Sequence, residues 1–502
     1  MPAELIKVAP PVVHEEIASI LNTAAETGKC PIEIKKGHLL PLPKPKKPQG
    51  PCKSLRPIIL LSVLRKILAV AVVQRVFDRV REAISVSQAA YSPGRGASEL
   101  ILTFKLLAER AITSQDYEFH IIMLDMSRAF DTIDRASVLN NLKEVLEPDE
   151  IHLISLLIKD VVLSVKCDNY IGRDFTTNIG SPQGDCASPL IFIFELSKAL
   201  EKSKEIIKSY SNPNIIKAIN SDHTYCKRLE PVSEEKHTFS IGQEYADDCS
   251  AGSTNTDLID ELEQKVPLHL KEHGLTENEE KREKFSISHD SDDTWKNTIL
   301  LGSKLDTESD INRRKGLASA AWNKNSTLLK NKTLPLLLRV RYFEAFISSI
   351  FLYQCGTWTL TDKLNHKIDV FQRLFLKRIV GIRYNNKSNK SISNKELYKI
   401  TNQKQWSVTC KFRKLTLFGH TCRLPKGAPS RDALDESLRP VKKLVGGQKT
   451  TLISTIIRDF KTIDKTIGEA ILTAPDRKEY RKLVDSVMSV SQETLAASRQ
   501  DA

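Results

Sequence analysis

Cysteine is scarce in this sequence, and no two cysteines have the spacing of a CxxC metal-binding pair. Nine cysteines occur among 502 residues. A small secreted domain held by disulfide bonds needs a higher density, and a zinc ribbon needs closely spaced pairs. The composition therefore excludes a disulfide scaffold, provides no zinc-ribbon signature and favours a reducing compartment.

Long apolar runs are also missing. No stretch reaches the ~18 consecutive apolar residues that a membrane span needs, and the N-terminal MPAELIKVAPP contains no apolar signal-peptide core. With 40% hydrophobic and 27% charged residues, the chain has a globular composition, which excludes collagen-like, mucin-like and wholly disordered proteins. At roughly 150 residues per domain, its length predicts about three domains.

Acidic residues are nearly absent from one block of the chain. Residues 311–430 contain 24 Lys and Arg against 4 Asp and Glu, a net charge of +20, whereas the whole chain carries 75 against 62, a net of +13. The remainder is acidic, with 51 positive and 58 negative residues. This concentration of charge favours a surface that binds nucleic-acid phosphates. An amphipathic helix with a solvated basic face is the alternative.

Within this basic block, apolar residues recur at helical spacing and are followed by a glycine, Gly381. They predict an amphipathic helix whose apolar face consists of Leu364, Ile368, Phe371, Phe375 and Ile379. Basic side chains occupy much of the remaining surface of this helix, namely Lys363, Lys367, Arg373, Lys377 and Arg378.

Apolar periodicity predicts a largely helical chain with a few extended segments. Helices are expected within residues 12–25, 55–83, 98–111, 188–202, 253–274 and 313–352. Extended structure is expected at residues 38–42 and 119–124. Loops or insertions are expected at residues 43–51, 203–237 and 385–394, and short helices with a polar tail after residue 430.

Two acidic sites stand out. Asp125 directly follows FHIIML, residues 119–124, which is typical of a strand buried on both faces, and an aspartate there is costly to bury alone. Asp247 and Asp248 are adjacent in Tyr-Ala-Asp-Asp. Carboxylates this close repel unless a cation neutralises them, and three of them would form an oxygen site suited to Mg²⁺. The pair alone is weak evidence, since Asp292-Asp293 is interpreted as a solvated loop.

Two such ions can activate an attacking hydroxyl and stabilise a leaving pyrophosphate. Eight segments occur in order over roughly residues 1–430, namely LLPLPKP (39–45), LRPIILLSVLRKI (55–67), QAAYSPGRGASELI (88–101), IIMLDMSRAFDTID (121–134), IGSPQGDCASPLIF (179–192), EYADD (244–248), GLTENEEKREKF (274–285) and LLGSKLD (300–306). In this order they resemble the segments of reverse transcriptases of the non-LTR (LINE-like) retrotransposon family.

The resemblance implies an α+β right-hand polymerase. It implies fingers and palm with a small antiparallel sheet over residues 1–305, with Asp125 and Asp247 on adjacent strands. A basic helical thumb and connection would follow over residues 306–430, and a C-terminal helical tail, partly disordered, over residues 431–502.

The resemblance also implies site residues. Asp125, Asp247 and Asp248 would be catalytic ligands of two Mg²⁺ ions, with Mn²⁺ as a possible substitute. Phe130 falls where an aromatic ring excludes a ribose 2′-hydroxyl, which implies deoxynucleotide use. Lys281 falls where a lysine protonates the leaving pyrophosphate.

Further positions follow from the same resemblance. The implied nucleotide-binding residues are Lys44, Arg56, Phe130, Gln183, Gly184 and Tyr245. The implied primer grip is Leu301 and Gly302. Arg95 would contact template phosphates, with a turn formed by its flanking glycines as the alternative.

The sequence departs from the family in three respects. Glu244 precedes the tyrosine and Cys-Ser-Ala follows the acids, which predicts a less firmly packed hairpin. Met1 matches a point already inside the family's polymerase region, and neither an endonuclease, a ribonuclease H nor a zinc-knuckle segment is recognised. The spacing of Cys410, His420 and Cys422 fits no standard metal site.

The resulting hypothesis is an RNA-directed DNA polymerase whose partners are an RNA template, a DNA primer and deoxynucleoside triphosphates. The resemblance favours the nucleus over the cytoplasm. Alternatives are a truncated or co-opted nucleic-acid-binding protein without activity, a group II intron maturase-like polymerase and an RNA-dependent RNA polymerase. A purely structural protein would leave these motifs unexplained.

Overall fold

The computed structural model describes residues 2–45, 47–48, 50–211, 238–382, 392–439, 444, 446 and 449–497. The chain divides into two units. Among the described residues, unit 1 consists of those within 2–95, 121–211 and 240–284, and unit 2 of those within 96–120, 238–239 and 285–497. Helices and strands both occur, which confirms the predicted α+β class.

The strands, numbered along the chain, are β1 Lys36–Pro43, β2 Leu55–Leu61, β3 Phe119–Leu124, β4 Val161–Cys167, β5 Tyr170–Thr177, β6 Ser240–Tyr245, β7 Asp248–Ser253, β8 Glu283–Ile287, β9 Ile299–Leu300 and β10 Ser303–Lys304.

The α-helices of the described residues are Ala3–Lys7, Pro11–Thr27, Ile32–Lys35, Val63–Ala83, Ala97–Thr113, Ala129–Thr132, Arg135–Leu142, Pro148–Ile158, Ser188–Ala199, Glu201–Ser209, Thr256–Glu272, Thr307–Lys330, Leu336–Phe343, Ser349–Phe351, Asp362–Val380, Asn394–Thr401, Trp406–Arg423, Pro429–Leu438, Leu452–Lys461, Ile467–Thr473 and Arg477–Ala497.

Two four-stranded sheets are formed. The first has the order β2-β1-β4-β5, in which β1 is antiparallel to β2 and parallel to β4, and β4 is antiparallel to β5. The second has the order β6-β7-β3-β8, with β6 and β7 forming an antiparallel hairpin. The neighbouring positions of β7 and β3 decide where the acidic residues lie.

Each unit has its own hydrophobic core. In unit 1, residues of β3 and β7 pack with the buried faces of the helices Val63–Ala83, Ser188–Ala199 and Thr256–Glu272. In unit 2, the core is rich in aromatic side chains, among them Trp322, Phe343, Phe351, Trp358, Phe375 and Trp406.

The prediction of one helix over residues 55–83 is wrong in its first part. Residues 55–61 form β2, and the helix begins at Val63. Pro57 is tolerated in β2 because this strand lies at the edge of its sheet. The hydroxyl of Ser62 then accepts a hydrogen bond from Arg65 N at 3.2 Å and caps the helix.

After residue 430, the structure contains the predicted short helices and, in addition, one long helix. Arg477–Ala497 has 21 residues. Tyr480, Val484 and Val487 are buried along one side of it, and Tyr480 Oη donates a hydrogen bond to Leu415 O at 2.7 Å. The helix is therefore packed within unit 2 on its buried side.

The other segment predictions are mostly confirmed. The predicted loop or insertion at 203–237 is wrong for residues 203–209, which belong to the helix Glu201–Ser209, because Ile206 and Ile207 pack against the core of unit 1. Residues 212–237 lie outside the described residues. Most of the predicted loop 385–394 also lies outside them. Among the described helices, none is long and apolar enough to cross a membrane.

Candidate active site

The acidic residues lie at the ends of neighbouring strands, as predicted. Asp125 directly follows β3, and Asp247 lies in the two-residue turn between β6 and β7, with Tyr245 paired to Asp248. Because β7 is next to β3, the turn and the end of β3 lie at adjacent positions in the sheet.

The electrostatics show that the three carboxylates act on one another. The pKa of Asp248 is raised to about 6, chiefly by burial and in addition by the negative charges of Asp247 and Asp125. Burial also raises the pKa of Asp247, with the charge of Asp125 adding to the effect. The positive charges of Lys281 and Arg56 oppose this rise. The charges of Asp125, Asp247 and Asp248 therefore interact, and the charges of Lys281 and Arg56 act on the same cluster.

This chemistry fits a hard divalent cation. Carboxylate oxygens are the ligands that Mg²⁺ prefers, and mutual repulsion of the kind seen here is relieved by a bound cation. Over the described part of the chain, no three His, Cys, Asp or Glu side chains already enclose a metal-sized position. The fit of this site to a divalent cation thus rests on the negative charge and the carboxylate oxygens of Asp125, Asp247 and Asp248.

Lys281 is brought to Asp125 by the segment before β8. Its Nζ lies 2.6 Å from Asp125 Oδ2. The backbone holds this arrangement, because Asn278 N donates to Asp125 O at 2.8 Å and Ser127 N donates to Thr276 O at 2.8 Å. The predicted acid and the predicted ligand are therefore in direct contact.

Gln183 and Gly184 lie in the loop before the helix Ser188–Ala199. Gln183 Nε2 donates to Asp131 Oδ1 at 2.9 Å, and Gln183 O accepts from Ile59 N at 2.8 Å. Gly184 has φ +124°, and a Cβ added there would lie 2.5 Å from Ile59 O. The close approach that requires glycine is thus to the backbone of β2.

Phe130 is half-buried beside this loop. Its ring stacks on Phe192 with ring centroids 4.3 Å apart. Ser181 N donates to Phe130 O at 2.6 Å. The aromatic ring is thereby fixed from both the loop and the helix Ser188–Ala199.

Two predicted nucleotide-binding cations lie on the first sheet. Arg56 is exposed on β2, and its charge lowers the pKa of Asp247 against the effect of burial. Lys44 follows β1, where its backbone N donates to Ser54 O at 2.8 Å. Burial raises the pKa of Asp131, and the charge of Lys44 is among those that lower it. Arg56 and Lys44 therefore act on different carboxylates.

The prediction of a loosely packed hairpin is wrong. Residues 249–253 of β7 are all buried, and Glu244 is 5% exposed. Ser87 Oγ donates to Glu244 Oε2 at 2.6 Å, and Lys204 Nζ lies 3.5 Å from its other oxygen. Small side chains on β7 permit close packing. The buried carboxylate of Glu244 has a hydrogen-bond partner and an ion-pair partner that are distant in the sequence.

The loop of Gln183 depends on a buried ion pair that the sequence did not reveal. Arg65 Nε and Nη2 lie 3.0 and 2.7 Å from Asp185 Oδ2, and both side chains are nearly inaccessible. Removing one partner of such a pair leaves an uncompensated buried charge. A charged residue inside the apolar run LRPIILLSVLRKI was the only signal for it.

Arg135 is a second residue missed by sequence reasoning. It is 5% exposed and donates to Gly180 O at 2.6 Å, Ile179 O at 3.1 Å and Thr177 O at 2.5 Å. Burial lowers its pKa to about 10. The guanidinium therefore fixes the backbone that leads into the Gln183 loop.

Leu301 and Gly302 form the tight turn between β9 and β10 in unit 2. Tyr353 Oη donates to Leu301 O at 2.9 Å, and Arg313 Nη1 donates to Gly302 O at 2.6 Å. Arg314 also donates to Gly302 O and lies over the ring of Tyr353. Both carbonyl groups of the predicted primer grip are therefore fixed by hydrogen bonds from side chains of unit 2.

The basic helix of unit 2 agrees with its prediction. Asp362–Val380 buries Ile368, Phe375 and Ile379 and ends at Gly381 with φ +89°. Its exposed basic side chains are Lys363, Lys367, Lys377 and Arg378.

Cys410 and His420 have different partners in unit 2. His420 Nε2 lies 2.9 Å from Glu99 Oε1, and the Cys410 thiol is hydrogen-bonded to Cys355.

Comparison with known proteins identifies the family of this site. Residues 42–309 match the family model of the reverse transcriptase (RNA-dependent DNA polymerase), and this region is more than half of the chain. A probable RNA-directed DNA polymerase from transposon BS of Drosophila melanogaster is 24% identical over 177 residues, which are 35% of this chain and 20% of that protein. The chain therefore matches about a fifth of the length of this relative.

Solved structures give more distant likenesses. Apo telomerase from Candida tropicalis is 12% identical, with a TM-score of 0.43 over 96% of this chain and 74% of that chain. The RNA-dependent RNA polymerase of a human picobirnavirus is 12% identical, with a TM-score of 0.37 over 74% of this chain and 64% of that chain.

Proposed function

Because the chain belongs to the reverse transcriptase family, we propose that it extends a DNA primer with deoxynucleotides along an RNA template. The observation that carries this proposal is the gathering of Asp125, Asp247 and Asp248 with Lys281 and Arg56. A non-LTR retrotransposon origin is supported by the transposon relative.

The carboxylates would bind the metal ions. Asp125, Asp247 and Asp248 would hold two Mg²⁺ ions, or Mn²⁺ in their place, which stabilise charge on the attacking and leaving oxygens. The contact of Lys281 Nζ with Asp125 shows that this ammonium group reaches the carboxylate cluster. It would hold a proton at Nζ for the leaving pyrophosphate.

The neighbouring residues would select and orient the nucleotide. Phe130, fixed by Phe192, would exclude a 2′-hydroxyl. Gln183, held by Asp131, would face the base and sugar with Gly184 and Tyr245. Arg56 and Lys44 would bind the triphosphate, because long cationic side chains complement a polyphosphate.

The remaining domain assignments belong to the same proposal. Residues 1–305 would be fingers and palm, with Leu301 and Gly302 as the primer grip. Residues 306–430 would be the thumb and connection, whose basic helix Asp362–Val380 would bind the duplex phosphates. Residues 431–502 would be a C-terminal extension, and the chain would act in the nucleus.

Primer extension on an RNA template tests the proposal. We expect the full chain to incorporate deoxynucleotides in the presence of Mg²⁺ and to discriminate against ribonucleotides. Asp247→Asn should abolish extension and leave primer–template binding nearly intact. Asp293→Asn is the matched control, since Asp293 belongs to the other Asp-Asp pair and its side chain is 77% exposed.

Three outcomes would contradict the proposal. The wild-type chain could bind primer and template without extending the primer, which would indicate a nucleic-acid-binding protein. It could use ribonucleotides equally well, which would indicate an RNA polymerase. Equal loss of extension and binding in Asp247→Asn would remove the catalytic assignment of this residue.

A further inference from the structure

The turn that carries Asp247 is held by a side chain from a distant segment, residues 87–90. We propose that Gln88 is a positioning residue that keeps the Ala246-Asp247 turn in its catalytic conformation; this inference rests on the proposed function. Gln88 Oε1 accepts a hydrogen bond from Ala246 N at 3.1 Å. Its Nε2 donates to Ala246 O at 3.3 Å.

Ala246 has a conformation that needs such support. Its φ is +54°, in the left-handed region, and it is the first residue of a two-residue hairpin turn. Two-residue turns with positive φ at this position favour glycine or asparagine, because a Cβ crowds the following carbonyl. The alanine is therefore strained, and the amide of Gln88 binds both polar groups of this one residue.

The support itself is rigid. Gln88 is 1% exposed, and its Oε1 also accepts from Ala90 N at 3.0 Å. The backbone around it pairs with β6, since Ala89 N donates to Glu244 O at 3.0 Å and Glu244 N donates to Ser87 O at 3.1 Å. The amide is thus fixed by the pairing of its own segment with the strand that leads into the turn.

Only a primary amide of this length satisfies both contacts. A glutamine side chain supplies a donor and an acceptor side by side, which matches the N–H and C=O of Ala246. Glutamate keeps the acceptor but loses the donor and adds a negative charge near Asp247. Methionine keeps the length and loses both hydrogen bonds.

Displacement of this turn would act on catalysis through Asp247. Asp247 follows Ala246 directly, so a change of φ at Ala246 moves the carboxylate relative to Asp125. Misplacement of a catalytic group by about 1 Å can lower a rate about 100-fold. Gln88 would therefore affect turnover and metal affinity more than the binding of primer and template.

The test compares Gln88→Met and Gln88→Glu with the wild-type chain. We expect kcat to fall about 10- to 100-fold, with a smaller change in KM for the deoxynucleotide. The half-saturating Mn²⁺ concentration, measured without turnover from the electron paramagnetic resonance of free Mn²⁺, should rise. Gln243→Met is the control, since Gln243 is equally buried on β6 at 1% exposure and should leave kcat and Mn²⁺ affinity unchanged.

A double-mutant cycle separates positioning from general destabilisation. Glycine adopts positive φ without strain, so Ala246→Gly should reduce the loss of kcat caused by Gln88→Met. If Gln88→Met does not fold, Gln88→Glu serves in the same cycle, because it retains the size and the acceptor of the two hydrogen bonds from Ala246 N and Ala90 N. If Gln88→Met lowers kcat by the same factor in the wild-type chain and in the Ala246→Gly variant, the positioning role is overturned.

The failure of this inference can be told from the failure of the proposed function. A wild-type chain that does not extend the primer contradicts the proposed function and, with it, the inference. A wild-type chain that extends the primer, with Gln88 variants of unchanged kcat and Mn²⁺ affinity, contradicts the role of Gln88 alone.

Discussion

Lys281 and Asp125 are 156 positions apart in the chain, and an ion pair joins them, with Lys281 Nζ 2.6 Å from Asp125 Oδ2. The pair is partly exposed, with side-chain exposures of 55% for the lysine and 23% for the aspartate. A cation at the carboxylates would compete with this contact and release the ammonium group. In the proposed function, the lysine would then be free to face a leaving group.

Substitution of Lys281 should slow chemistry and leave binding intact. Loss of a general acid typically lowers a rate by about 10²- to 10⁴-fold. We expect Lys281→Met to reduce the single-turnover extension rate by about 10²-fold with unchanged primer–template affinity. Lys284→Met is the control, because Lys284 pairs with Asp260 and Glu263 instead. Equal effects of the two substitutions would contradict the assignment.

Substitution of Phe130 should relax discrimination against ribonucleotides. The ring stacks on Phe192, so a smaller residue would leave open space where the sugar is proposed to lie. We expect Phe130→Val to lower the preference for deoxynucleotides by about 10- to 100-fold, measured as the ratio of kcat/KM for the two substrates. Phe194→Leu, in the same helix and fully buried, should lower stability and preserve the preference.

Gly184→Ala should destabilise the loop that contains Gln183. The residue has φ +124°, and its new Cβ would lie 2.5 Å from Ile59 O, so conformational strain and a backbone clash add. We expect a loss of about 3 kcal/mol in the free energy of unfolding. Gly50→Ala, with φ +108° and no atom within 4 Å of the added Cβ, isolates the conformational cost of about 1 kcal/mol. Urea denaturation measures both, and equal losses would show that Ile59 moves away.

Glu109 predicts a pH dependence of stability. It is buried in unit 2, where it accepts hydrogen bonds from Leu452 N at 2.6 Å and from the hydroxyl of Thr359. Burial raises its pKa from the ordinary 4.5 to about 7. Since the folded pKa exceeds the unfolded one, the resulting stabilisation is complete below pH 4.5 and is lost as the pH rises through 7.

Glu109→Gln should remove this pH dependence. The amide stays neutral, so the stability of the variant relative to wild type should rise between pH 5 and pH 8, by up to about 3 kcal/mol at 1.36 kcal/mol per pKa unit. Denaturant unfolding at both pH values measures the difference. Glu479→Gln on the exposed side of the last helix is the control. If the difference in unfolding free energy between Glu109→Gln and wild type is the same at pH 5 and at pH 8, the raised pKa of Glu109 is contradicted.

The sequence by itself determined the elements whose signals are local. The apolar run before Asp125 predicted β3, and the spacing of Ile368, Phe375 and Ile379 predicted the basic helix up to Gly381. Both signals lie within one element, so no distant contact was needed to interpret them. The Asp-Asp pair after Tyr245 and the order of the motifs likewise identified the family.

Tertiary structure decided the features that depend on contacts between distant elements. Residues 55–61 became a strand because β1 supplied a partner, although the run of apolar residues suited a helix. The glutamate before Tyr245 proved compatible with a buried hairpin because Ser87 and Lys204 reach it. Such outcomes depend on which elements become neighbours, and periodicity carries no information on that.

The residues that support the candidate site were also decided by tertiary contacts. Arg65 meets Asp185 across 120 positions, and Gln88 meets Ala246 across 158. Their side chains are ordinary in the sequence and acquire their importance only because burial makes an unmatched polar group costly. The sequence predicted the residues that are proposed to perform the chemistry, whereas the packing of distant segments decided which residues hold them in place.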